Sequence, residues 1–197
     1  MGRKLKVTEM GRLTVEEFRR AEKMPLVIVL DNVRSMYNVG SVFRTSDAYR
    51  VERIVLCGIT GRPPHPEIHK TALGAEESVA WTYCADAHEA VTRLKADGYT
   101  VLAVEQAEDS IDLSRLQATQ YKAQSRKMAV IFGNEVKGVQ QSVVDLCDGC
   151  LELPQFGTKH SLNVATTAGI VIWEFFKLNH TTITPSPWQN SISEAAK

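Results

Sequence analysis

The chain has 197 residues, with 23 Lys and Arg against 23 Asp and Glu, 44% hydrophobic residues and 7% aromatic. That length fits about one domain, which buries roughly 70% of its unfolded surface, so no disulfide or metal staple is required. The composition excludes wholesale disorder, collagen and coiled coil. No apolar signal region follows the basic start. The longest apolar stretch, Ile170 to Phe176, is broken by Glu174 and is far too short to span a membrane. A soluble cytoplasmic protein is expected.

Zero net charge argues at first against a nucleic-acid partner, because phosphate neutralisation normally leaves a basic excess. The sum hides a partition. Residues 1–25 carry +3, 26–70 carry +2, 71–118 carry −6 and 119–197 carry +1. An acidic middle cancels basic groups around the glycine-containing turns, which leaves room for a local basic surface. On charge alone, an evenly mixed solvated surface explains the pattern equally well.

In chain order, Thr14-Val15-Glu16-Glu17 is a capping box that starts a short amphipathic helix ending before Pro25. Apolar runs then alternate with amphipathic stretches, the pattern of an α/β fold with a mostly parallel sheet flanked by helices. Strands are predicted at Leu26–Asp31, Arg53–Cys57, Val79–Tyr83, Tyr99–Val104, Met128–Phe132 and Cys150–Leu153. Helices are predicted at Val39–Tyr49 with Asn38 as cap, Ala87–Ala96 between Asp86 and Gly98, Gln140–Cys147, and Leu162–Leu178 with Ser161 as cap. Three prolines in Arg62-Pro63-Pro64-His65-Pro66-Glu67-Ile68-His69 argue against a regular helix there. The last helix is apolar on nearly all sides and must be covered on more than one face, by the core or by a second subunit. Residues 179–197 lack a period and read as a loosely attached tail.

Cys57, Cys84, Cys147 and Cys150 read as reduced thiols in a chain without an export signal. Cys147-Asp148-Gly149-Cys150 has the spacing of half a zinc site, but no second pair exists, and His65 and His69 lack a third ligand, so no metal is assigned.

Three polar turns follow predicted strands, where ligands bind in open α/β sheets. The first runs from Asp31 through Arg34, Asn38 and Gly40 into a helix carrying Arg44. Its free N–H groups suit an anion that Arg44 can reach, although a cap and a surface side chain account for the same residues. The second is Phe132-Gly133-Asn134-Glu135-Val136-Lys137-Gly138-Val139. Its glycines have P-loop spacing, but Val139-Gln140 stands where Lys-Ser/Thr must be, and no G-x-G-x-x-G follows any strand, so nucleoside-triphosphate and dinucleotide readings fall. The third runs from Leu153-Pro154 through Gly157 to Ser161-Leu162-Asn163-Val164. Asn163 is a polar residue in an otherwise apolar helix start and needs a partner. No nucleophile elbow surrounds Ser161, which excludes a serine hydrolase.

Together these segments resemble the SpoU (TrmH-type) RNA methyltransferases of the SPOUT class. The match is Asn-x-Gly-small-(x)2-Arg from Asn38 to Arg44, Phe-Gly-x-Glu-(x)2-Gly-Val from Phe132 to Val139, and Leu-Pro…Gly…Ser-Leu-Asn-Val from Leu153 to Val164. Lys70-Thr71-Ala72-Leu73-Gly74-Ala75 also fits. The resemblance covers about residues 26–178. It implies a C-terminal trefoil knot, a homodimer packed through knot-region helices, and S-adenosyl-L-methionine as cofactor, contacted at Gly133, Leu153 and Leu162. It implies methyl transfer to a ribose 2′-hydroxyl of tRNA or rRNA, tRNA being favoured for so compact a chain. Asn38, Arg44, Glu135, Ser161 and Asn163 carry over as catalytic positions. A non-catalytic RNA-binding module on the same fold is the alternative.

Two departures stand out. Gln155 occupies a position that is apolar in many relatives, and residues 1–25 supply a short basic helix where a separate RNA-binding domain would stand. RNA is therefore expected on core loops, with Arg34, Arg44, Arg62, Lys70, Lys122 and Arg126 as contacts, joined by His65, His69 and Lys127.

Overall fold

The computed structural model describes residues 3–118 and 127–179. Seven strands form one sheet in the order β3-β2-β1-β6-β4-β7-β5, and every pairing is parallel. The strands are β1 (Met24–Asp31), β2 (Val51–Cys57), β3 (Ala80–Cys84), β4 (Thr100–Val104), β5 (Ile111–Asp112), β6 (Met128–Phe132) and β7 (Gly149–Glu152). The helices are α1 (Val15–Arg20), α2 (Met36–Ala48), α3 (Pro66–Ala72), α4 (Ala75–Ser78), α5 (Ala87–Ala96), α6 (Gln141–Val144) and α7 (Val164–Asn179).

The sheet is covered on both faces, so its central strands are apolar at nearly every position. Leu26, Ile28 and Leu30 of β1 pack toward one core with Val42 and Phe43 of α2 and Ala168, Val171, Ile172 and Phe175 of α7. The alternate residues Val27 and Val29 pack toward the other core, with Val91 and Leu94 of α5 and Val143 of α6. Since all strands point the same way, the turns that leave β1, β6 and β7 emerge at one edge. The three motifs meet there because of the topology.

The predicted elements recur with corrections. β1 starts at Met24, and the ladder shifts register between Met24 and Val27, around Pro25, which has no N–H to give. The short β5 has no sequence run of its own, and pairs with β7 through Ile111 and Asp112. The helix after β1 starts at Met36, because Ser35 Oγ, not Asn38, accepts the cap hydrogen bond, from Asn38 N at 3.3 Å. The proline-rich segment does contain a helix. Pro66 sits in the first turn, where its missing N–H is harmless, and His65 Nδ1 accepts from Glu67 N at 3.2 Å. After Val144 the chain tightens into three-residue turns, Leu146 N to Val143 O and Cys147 N to Val144 O, so α6 is a single turn and not Gln140–Cys147.

The last helix is covered on one face only. Val164, Ala168, Val171, Ile172 and Phe175 are buried, whereas Ile170 is 39% and Trp173 45% exposed. Trp173 and Phe176 pack with Tyr49 at centroid distances of 5.7 and 5.0 Å, which locks α7 against the end of α2. Asn179, expected to begin the tail, is instead the buried last residue of α7, and residues 180–197, together with Lys122 and Arg126, lie outside the described residues. Among the described residues no helix is long and apolar enough to cross a membrane, and no cluster of metal-ligating side chains occurs. All four cysteines are free, and burial pushes the Cys147 thiol up to about 12.

Candidate active site

A cavity of about 510 Å³ opens where the second and third motifs meet, lined by Phe132, Gly133, Glu135, Leu153, Leu162 and Asn163 among others. Its size suits a small organic ligand. Gly133 makes the cavity's tight turn possible, since a Cβ there would overlap the backbone of Gly138 and Val139. Asn134 closes the turn from within. Its backbone exchanges hydrogen bonds with Gly138 at 3.1 and 2.8 Å, and its Oδ1 accepts from Val136 N at 2.9 Å and Lys137 N at 3.2 Å. Its Nδ2 donates to Asn32 O at 2.8 Å, tying the second motif to the first.

The closed turn aims Glu135 at the loop after β1. Its carboxylate accepts from Arg34 N at 3.1 Å, Ser35 N at 3.1 Å and Asn38 Nδ2 at 3.2 Å. Burial alone would raise this carboxyl, but the hydrogen bonds from the backbone and from Asn38 outweigh it and hold Glu135 below the usual carboxylate range. Asn38 Oδ1 accepts in turn from Asn163 Nδ2 at 3.0 Å. Asn163 Oδ1 accepts from Ala165 N at 2.9 Å and Thr166 N at 3.3 Å, so Asn163 caps α7 and Ser161 does not. Three motif residues far apart in sequence thus form one hydrogen-bonded relay, Glu135 to Asn38 to Asn163.

Ser161 and Leu162 are exposed on the cavity wall, and Leu153 is buried beneath it. Arg44 is exposed on α2, six residues beyond Asn38 or about 9 Å along the axis, and is not part of the cavity lining. Arg34, Arg62 and Lys70 are exposed, and the Arg62 guanidinium stacks 4.3 Å from the Tyr83 ring centroid. His65 is used as a helix cap and His69 pairs with Glu76 at 2.6 Å.

The sequence model of the SpoU rRNA Methylase family matches residues 25–173. The chain belongs to this family. This SpoU protein is 32% identical over 167 residues to the tRNA (guanosine(18)-2′-O)-methyltransferase of Thermus thermophilus, covering 85% of this chain and 82% of that one. The solved structure of the A. aeolicus TrmH/SpoU tRNA modifying enzyme shares the fold, with a TM-score of 0.73 at 20% identity over 85% of this chain and 83% of its own. The AdoMet-bound rRNA methyltransferase of Sinorhizobium meliloti gives a TM-score of 0.70 at 25% identity over 80% of this chain and 61% of its own.

Sequence reasoning about the SpoU motifs overlooked three residues that build the site: Asn134, Glu105 and Gln106. Asn134 lay within the second motif as an unassigned position. Glu105 and Gln106 follow β4, a strand end with no glycine turn to draw attention to it, and Gln106 Nε2 donates to His160 O at 3.0 Å. For Glu105 the available signal was a charged residue directly after an apolar strand.

Proposed function

We propose that this protein methylates a ribose 2′-hydroxyl of tRNA in the cytoplasm, using S-adenosylmethionine held in the cavity beside Gly133, Leu153 and Leu162. As a SpoU-family member it is an S-adenosylmethionine-dependent RNA 2′-O-ribose methyltransferase. The choice of tRNA over rRNA is supported by the 32% identity to a tRNA methyltransferase along most of both chains. The observation that carries the reading is the Glu135–Asn38–Asn163 relay on the cavity rim.

S-adenosylmethionine supplies an electrophilic sulfonium methyl group. The protein's part is to place the hydroxyl in line with it and to ease loss of a proton, and positioning accounts for much of the acceleration. Asn38 and Arg44 hold the target phosphate and ribose, while Glu135, Ser161 and Asn163 fix the geometry. A guanidinium has no basic lone pair to spare and is a poor base, so Arg44 orients the nucleotide and stabilises the developing alkoxide.

In this reading residues 26–178 form the methyltransferase domain, its C-terminal segment is threaded as a trefoil knot, and residues 1–25 are a basic extension that helps grip RNA. Two copies pair through the exposed face of α7, on which Ile170 and Trp173 lie one turn apart. Pairing also explains why Arg44 lies outside the cavity of its own protomer: the site is completed where two copies meet. Arg44→Ala tests the reading. Binding of S-adenosylhomocysteine stays within about twofold, as an exposed substitution implies, and methyl transfer to tRNA is abolished; near-normal turnover would overturn the assignment.

A further inference from the structure

Glu105 stands directly after β4 and lines the cavity. Its main chain is fixed by β7, since Glu105 N donates to Leu151 O at 3.0 Å and Glu105 O accepts from Cys150 Sγ at 3.3 Å. Its side chain is fixed again. Oε2 accepts from Val139 N at 2.9 Å and Oε1 from Gln106 N at 3.1 Å. Gly138 has φ of +65°, and a Cβ there would overlap Oε2, so the glycine turn is shaped around this carboxylate.

The two backbone donors take different oxygens of Glu105, so the site uses both ends of a carboxylate, where a side-chain amide would offer one oxygen and set its NH2 against the other N–H. Each of its oxygens has committed one lone pair to the backbone and keeps one. The result is two adjacent, coplanar acceptors on a residue that lines the cavity together with Val104, Phe132, Leu151 and Leu153. The other carboxylate of the inner rim, Glu135, is committed to three donors. Two rigid side-by-side acceptors match two adjacent hydroxyl donors better than they match an ammonium, whose three donors diverge from one centre.

Resting on the methyltransferase reading of this cavity, we propose that Glu105 is a cofactor-binding residue whose carboxylate accepts hydrogen bonds from the vicinal ribose hydroxyls of the adenosyl group. Gln106, through His160 O, holds the third-motif loop against the same wall. Glu105 thus couples recognition of the nucleoside to the shape of the glycine turn.

The test is calorimetric binding of S-adenosylhomocysteine and its 2′,3′-dideoxyribosyl analogue to the full chain and to Glu105→Gln, with thermal melting as a check on folding. The wild type should prefer the diol by ~10- to 100-fold, the range for hydrogen bonds to a charged group. Glu105→Gln should lose most of that preference, weakening the diol ligand well beyond the dideoxy analogue. Equal weakening of both ligands, with the wild-type preference kept, would reduce Glu105 to a turn-shaping residue and overturn the proposal. Unchanged affinity in the variant, or equal binding of both ligands by the wild type, would overturn it too. Failure of the wild type to bind S-adenosylhomocysteine at all would overturn the methyltransferase reading itself, a separate result.

Discussion

Asn163 Nδ2 donates to Asn38 Oδ1 at 3.0 Å, joining side chains 125 residues apart. That bond fixes both amides. Asn163 must present its oxygen to the α7 N-terminus and its nitrogen to Asn38, while Asn38 must present its oxygen to Asn163 and its nitrogen to Glu135. Neither can flip without losing two partners. The relay therefore transmits the position of α7 to the loop after β1, which is where the substrate ribose is proposed to sit.

Asn163→Asp separates the two tasks of Asn163. The aspartate oxygen still caps α7, so the melting temperature should stay within a few degrees of wild type, but the carboxylate now faces Asn38 Oδ1 and cannot donate. Methyl transfer should fall at least about tenfold, the cost of one lost and one opposed hydrogen bond. Asn163→Ala should in addition lose the cap, at about 1 kcal/mol. Thermal melts and single-turnover rates on the two variants check this.

Glu135 makes a pH prediction with a definite sign. Its carboxyl is held below its unfolded value of 4.5, so its contribution to stability is complete above that value and is lost as the pH falls through the depressed folded value. Glu135→Gln removes the charge and leaves one acceptor for three donors. Denaturant titrations should show wild type more stable than the variant at neutral pH, with the gap closing below the usual carboxylate range. A gap that stays constant into acid would contradict the hydrogen-bond account.

Gly133→Ala should disrupt the turn. The added methyl meets backbone atoms of Gly138 and Val139, which have no side-chain freedom to yield. The expected cost is about 1–3 kcal/mol, as for overpacking, together with loss of S-adenosylhomocysteine binding by calorimetry. Gly157, where an added Cβ meets nothing within 4 Å, is the control: Gly157→Ala should bind normally.

The exposed face of α7 predicts a self-associating surface. Ile170→Glu places a charge on that face without touching the buried stripe of Val171, Ile172 and Phe175. Sedimentation should show a dimer for wild type and a monomer for the variant, with helix content by circular dichroism unchanged. A wild-type monomer would contradict the proposed pairing.

Much of this was legible in the sequence because the signals were local. Apolar runs mark six of the seven strands, and Thr14 and Asp86 cap the helices that the sequence predicts for them. The failures were places where a local rule had two outcomes. Proline reads as a helix breaker, yet Pro66 starts α3. Asn38 and Ser161 are good caps by type, yet Ser35 and Asn163 hold those positions. The motif residues were identified through their order along the chain, but their joining into one relay depends on a parallel sheet bringing the ends of β1, β6 and β7 to one edge. Glu105 carried only the weak signal of a charge after an apolar strand, because its partners Gly138 and Val139 reach it only in the folded chain.

Nucleoside mass spectrometry of tRNA incubated with the pure protein and S-adenosylmethionine tests the central claim most directly. The account predicts a cofactor-dependent 2′-O-methylated nucleoside that is absent with Arg44→Ala. A methyl group on a base, or equal 2′-O-methylation by the Arg44→Ala protein, would contradict it.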